Sequence, residues 1–191
     1  MSPKKILVPL TLSKGLDPAL TFALELASKC DAGLVLMHVI QLSVVGEERG
    51  IPRTRLLNLL QREAEAQLNA VVNELAWPVP IEVVVCEGRP AEMIPKMAGQ
   101  LAVDGIVMST HGYRGWLRCL HRKTAMRVVR NARCQIWLLV PEPAGSAATL
   151  LFFDRPDAPE AGILNLSLDL LQRRSGKIGS GGWDKLSALP H

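Results

Sequence analysis

Five short apolar runs, separated by segments whose apolar residues recur every three or four positions, restrict the fold of this chain more than any other feature. The runs are Lys5 to Leu10, Leu34 to Ile40, Ile81 to Cys86, Gly105 to Ser109 and Gln135 to Val140. Each is short and apolar almost throughout, the pattern of a strand buried on both faces. Between the first two, Asp17-Pro18 supplies an N-cap and a first-turn proline for a helix with Leu20, Ala23, Leu24 and Ala27 on one stripe, and Gly33 ends that element. Residues 41–53 read as a loop, after which Leu57, Leu60, Ala64, Leu68, Val71 and Leu75 mark a long second helix stopped by Pro78 and Pro80. Gly88-Arg89-Pro90 turns the chain into a third helix, whose start Pro95 is expected to delay or whose axis it is expected to kink. A fourth is expected around Thr124 to Ala132. Strands joined by helical crossovers imply an α/β fold, an open five-stranded parallel sheet with helices on both faces. Ligands of such sheets bind beyond the carboxyl ends of the strands, where strand order reverses. The loops after strand one (Pro9 to Gly15) and strand four (Ser109 to Gly115) are therefore the candidates.

Composition narrows the function classes. Apolar residues make up 48% and charged residues 21% of the 191, a balance that excludes disorder throughout. No stretch approaches the ~20 apolar residues that span a bilayer, so no membrane role is expected. The start, Met1 to Lys5 and then a short apolar run, lacks the pattern of a secretory leader, and a cytoplasmic location is expected. Cys30, Cys86, Cys119 and Cys134 show no CxxC spacing, and His38, His111, His121 and His191 stand at no ligand spacing from them. Reduced thiols and no metal are the expectation. Net charge is +4, yet Arg114, Arg118, Arg122, Lys123, Arg127, Arg130 and Arg133 all lie between Ser109 and Cys134 without an Asp or Glu among them. That cluster suits an anionic small molecule, or else it is a solvated helix face. Nucleic acid ranks lower, because Tyr113 and Trp116 accompany no reader motif.

Ile6-Leu7-Val8-Pro9, Leu36-Met37-His38-Val39, Gly88-Arg89-Pro90, Asp104 through Gly112 and Arg127 through Cys134 together resemble the universal stress protein domain over residues 4–140. The resemblance implies strand order 3-2-1-4-5, of the adenine nucleotide alpha hydrolase-like kind, with the reversal between strands one and four. It also implies a homodimer formed by antiparallel pairing of the last strand, Gln135, Ile136, Trp137, Leu138, Leu139 and Val140. Such pairing would shelter an apolar edge that carries Trp137; ordinary packing of that indole against a helix is the other reading.

ATP-binding members of the family carry G-x2-G-x9-G-[ST], whose glycines bring backbone amides close to phosphates. Here the pattern becomes Ser109-x2-Gly112-x9-Arg122-Lys123, and the adenine-contacting Asp after strand one corresponds to Thr11. Pro9, Thr11, Val39, Met108, Ser109, Gly112, Arg122, Lys123 and Thr124 are the family's nucleotide positions. Either Arg122 and Lys123 hold a phosphate by charge, or they fill the pocket and exclude nucleotide. The second reading is preferred, because a motif takes its meaning from intact context. ATP thus stays a candidate ligand with no cofactor assigned. The expected function is a dimeric stress-response binding and signalling module that is not an enzyme; the competing class is an ATP-binding member with slow ATPase activity.

Other chemistry is thinly signalled. His111 has no carboxylate partner nearby in sequence, His38 reads as structural, and no G-x-S-x-G nucleophile elbow occurs. Ser180 through Lys185 look like an SGGxD pyrophosphate loop without the flanking strand and helix. Residues 1–141 form the recognisable domain and 142–191 an extension. Within the extension, Leu150 to Asp154 reads as a strand. Ala161 to Arg174 shows both strand and helix periods and is expected to be a helix, since leucine favours one. The order repeats the plan of residues 6–33, with Leu164 and Leu168 falling on Leu20 and Leu24, as the start of a truncated second domain would. One strand and one helix cannot bury a core alone. The extension therefore docks on the first domain, docks on a partner chain, or stays flexible.

Overall fold

A computed structural model describes residues 3–12, 17–42, 52–75, 80–110, 118–141, 147–154 and 161–167, with backbone only for 118–123, 141, 147–148 and 161–167. Five parallel strands form the body of the sheet: β1 (Lys5–Pro9), β2 (Gly33–Ile40), β3 (Ile81–Glu87), β4 (Gly105–Ser109) and β5 (Gln135–Pro141). Their order is β3-β2-β1-β4-β5, as the resemblance implied. Between them run α1 (Pro18–Cys30), α2 (Arg53–Leu75), α3 (Pro90–Gln100) and α4 (Arg118–Asn131).

Because side chains alternate across a strand, each apolar run feeds two cores. Ile6, Val8, Leu34, Leu36, Val107 and Leu139 point to one side, where they meet Leu20, Phe22 and Leu24 of α1 and Leu68 of α2. Leu7, Val35, Met37, Ile106, Ile136 and Leu138 point to the other, against Ile94 and Ala98 of α3 and Ala125, Val128 and Val129 of α4. Asp104 ties the strand starts together. Its Oδ2 accepts the Lys4 and Lys5 amides at 2.7 and 2.9 Å, and its carbonyl accepts the Gln135 amide at 3.1 Å.

Local signals mostly hold. Asp17 caps α1, with Oδ1 accepting the Ala19 amide at 2.9 Å, and Pro18 opens the helix. The helix is closed by Asp31 at φ 52 rather than by Gly33, which already belongs to β2. α3 starts at Pro90 and runs through Pro95 without the expected delay. α4 begins at Arg118, before the expected Thr124, in a segment where Arg, Leu and Lys are good helix formers.

The extension adds to one expectation and corrects another. Among the described residues the five expected parallel strands are joined by two more, since β6 (Ala147–Phe153) pairs antiparallel with β5 and β7 (Ala161–Ser167) pairs antiparallel with β6. The expected helix from Ala161 is a strand as far as Ser167. Its register, Leu150 opposite Leu164 and Ala148 opposite Leu166, follows the two-residue alternation of Leu164, Asn165, Leu166 and Ser167. A neighbouring strand edge outweighs the helix preference of leucine. Residues 168–174 and the SGGxD stretch at 180–185 lie outside the described residues.

Candidate functional site

β1 and β4 are adjacent and parallel, with Ile6 opposite Gly105 and Leu7 opposite Ile106. The chain leaves β1 for α1 in one core and leaves β4 for α4 in the other. Such divergence opens a crevice at the carboxyl ends of the two strands. Pro9 and Thr11 stand on one side, Ser109 and Thr110 on the other, and Val39 lies at the end of neighbouring β2.

Backbone bonds hold this rim. The Leu10 amide donates to the Met37 carbonyl at 2.8 Å, and the Thr110 amide donates to the Leu139 carbonyl at 2.8 Å. His38 lies 2.9 Å through Nδ1 from the Leu10 carbonyl. A carbonyl can only accept, so Nδ1 carries the proton and the imidazole pins the loop after β1 to β2. This bears out the structural reading of His38. Thr11 is exposed next to that pinned residue.

The sequence-derived positions are not equivalent. Pro9, Thr11, Val39 and Ser109 gather at the rim, while Met108 is buried in the core beneath α3 and α4. Thr124 is half-buried on α4. Gly112 and His111 lie outside the described residues. Arg122 and Lys123 occupy the fifth and sixth positions of α4, whose helical bonds begin at Arg118. Only the first four amides of a helix lack an internal partner. The amides of residues 122 and 123 are therefore engaged within the helix. Thr110 and the Leu10 carbonyl were not singled out from the sequence, since their part is played by backbone atoms.

Chemistry elsewhere is sparse. A cavity of about 410 Å³ opens between α3 and α4, lined by residues including Lys96, Val103, Asn131, Arg133 and Cys134. It lies at the amino ends of β4 and β5, away from the crevice, where helix carboxyl ends oppose anions. Burial pushes the Cys134 thiol up to about 11, with the Asp104 carboxylate adding to the rise. Burial also raises Cys30 and Cys86. All three are free thiols and weak nucleophiles at neutral pH. Among the described residues no cluster of His, Cys, Asp or Glu could hold a metal. No helix among them is long and apolar enough to cross a membrane.

Comparison with known proteins adds a family. A model of the universal stress protein family matches residues 3–140. A universal stress protein of Methanocaldococcus jannaschii, MJ0531, is 32% identical over 142 residues, which cover 73% of this chain and 83% of that one. The solved structure of the hypothetical protein MJ0577 superposes with a TM-score of 0.59 at 22% identity, covering 74% of this chain and 99% of that one. A universal stress protein family structure from Burkholderia pseudomallei gives 0.53 at 25% identity, over 71% and 94% respectively.

Proposed function

Given that the chain belongs to the universal stress protein family, we propose that it is a stress-response binding module that works by occupancy, without turnover and without a phosphate cradle of the G-x2-G-x9-G-[ST] kind. One observation carries this reading. The positions that should present glycine and serine amides to phosphate, Arg122 and Lys123, lie inside α4, past its first turn. The absence of a carboxylate at Thr11 points the same way. So does the make-up of the described rim, where hydroxyls and backbone groups stand without an acid–base pair.

The ligand class that suits the basic start of α4 is a small anion, met by side-chain charge instead of amides. ATP is the nucleotide to test. Free thiols at Cys30, Cys86 and Cys134 fit a reducing cytoplasm. The homodimer through Gln135 to Val140 is open to this chain only when β6 leaves that edge.

Calorimetric titration with magnesium ATP tests the reading. The parent is expected to bind no tighter than about 1 mM, worth about 4 kcal/mol, and to release no ADP. Replacing both residues, Arg122→Gly with Lys123→Ser, is expected to restore tighter binding by shortening the helix start. Micromolar binding with hydrolysis by the parent would put the protein among the ATPases.

A further inference from the structure

We propose that the cavity between α3 and α4 is a second ligand site, and that it takes a small carboxylate with an apolar body, such as a medium-chain fatty acid or an aryl acid. The inference is independent of what the crevice binds, because the two places lie at opposite ends of the parallel strands. The cavity volume of about 410 Å³ falls within the ~300–1,000 Å³ of small-molecule pockets.

The sequence keeps this space open. Where α3 and the turn after it face the end of α4, the chain places Ala98, Gly99, Ala102 and Val103, none larger than valine. A Cβ built on Gly99 meets nothing within 4 Å. Protein interiors are otherwise close-packed, so the small side chains leave room for something else. Ala98 and Val103, 4% and 7% exposed, make the buried part of the lining apolar. Cys134, half-buried, adds a free thiol to it.

Charge is confined to the mouth. Lys96 of α3 and Arg133, just past α4, are both exposed and both line the cavity. Among the described residues neither forms an ion pair, and no acidic residue lines the cavity. Asp104, whose carboxylate bears on the Cys134 thiol, is held by the Lys4 and Lys5 amides at 2.7 and 2.9 Å. The helix carbonyls that would repel an anion are engaged. Those of Met97, Ala98 and Gly99 accept the amides of Leu101, Val103 and Ala102 at 2.9, 3.1 and 3.3 Å, and that of Val128 accepts the Ala132 amide at 2.8 Å. An arginine fork meets a carboxylate through two parallel N–H groups, and a lysine adds a point charge. Two cations above an apolar lining select a molecule with one anionic end. A polyanion would have to desolvate charge against Ala98 and Val103.

Titration calorimetry of the full chain with sodium octanoate tests this. Saturable binding tighter than about 1 mM is expected. Octanol, which keeps the apolar body and lacks the charge, is expected to bind at least ~10-fold more weakly. Gly99→Leu fills the space with a good helix former and should weaken octanoate at least ~10-fold without lowering the thermal midpoint. Lys96→Gln with Arg133→Gln should weaken octanoate as much and leave octanol unchanged. Peptide mass spectrometry locates the ligand in the parent chain: octanoate is expected to slow iodoacetamide alkylation of Cys134 and not of Cys30 or Cys86. That protection decides should a variant fail to fold. Absence of saturable heat overturns the proposal, and so does octanoate binding that ignores Gly99→Leu or leaves Cys134 unprotected. If the glutamine pair only lowers the thermal midpoint while octanoate binds as before, Lys96 and Arg133 serve the helix ends alone, and the carboxylate assignment falls.

Discussion

Gly105 is glycine because the Trp137 indole lies across it. A Cβ there would sit 2.2 Å from Cζ3 and 2.9 Å from Cη2 of that ring, far inside contact distance. The six-membered ring cannot retreat, since Trp137 is wedged between β4 and Phe152. Gly105→Ala is therefore expected to cost about 1–3 kcal/mol, the range of an overpacked core, read as a lower urea midpoint at unchanged slope. Adding Trp137→Leu should recover part of the loss, which a generic strand effect at residue 105 would not allow. Sequence reading saw Gly105 as the start of a strand and Trp137 as either a dimer residue or a packed one. It could not see the two meet, because the contact follows from neighbouring β4 and β5 in register, Gly105 opposite Gln135. Glycine conformational freedom is the reason at Gly88 instead, where φ is 146 and Met93 closes over the turn into α3.

At the scale of elements, what was legible depended on whether a signal was local. The N-cap Asp17, the proline at helix position one and the apolar runs are read from neighbours in sequence, and the five parallel strands and four helices all occur in the expected order, with α4 starting six residues earlier than expected. Ends set by backbone conformation were less legible. α1 closes on Asp31 and the turn after α3 holds Ala102 at φ 49, a conformation that alanine favours no more than any other side chain with a Cβ. Ala102→Gly should accordingly stabilise the protein by about 0.5–1 kcal/mol, visible as a rise in the thermal midpoint. No gain there would mean that the Ala102 methyl makes contacts worth as much as the relieved strain. β7 was illegible for a third reason. Its leucines satisfy two periods at once, and the choice between them is made by β6, a strand remote from any local cue. The crevice shows the same division. Its location followed from alternating elements and its family positions from the resemblance. The engagement of residues 122 and 123 in α4 followed only from where that helix begins.

The described residues form a sheet sandwiched between helices over five parallel strands and extended at one edge by the β6–β7 hairpin. Cooperative stability should divide along the same line. Ile6, Leu7, Leu34 and Ile106 are fully or almost fully buried between helix layers, and their amides can exchange only when a large part of the fold opens. β6 and β7 join this body at one edge, through strand pairing with β5 and the β6 side chains Leu150 to Phe153, so they are expected to open while α1 to α4 stay packed. Native-state hydrogen exchange is expected to show amides of residues 147–153 and 161–167 exchanging at least ~10-fold faster than those of β1, β2 and β4, a gap of about 1.4 kcal/mol. Their opening should need little denaturant, because a hairpin exposes little surface on leaving. The outward amides of β5 should follow the hairpin, whereas those directed at β4 should follow the core. If all seven strands instead exchange at one common free energy with one denaturant slope, the hairpin is welded into the domain and opens only with the whole fold.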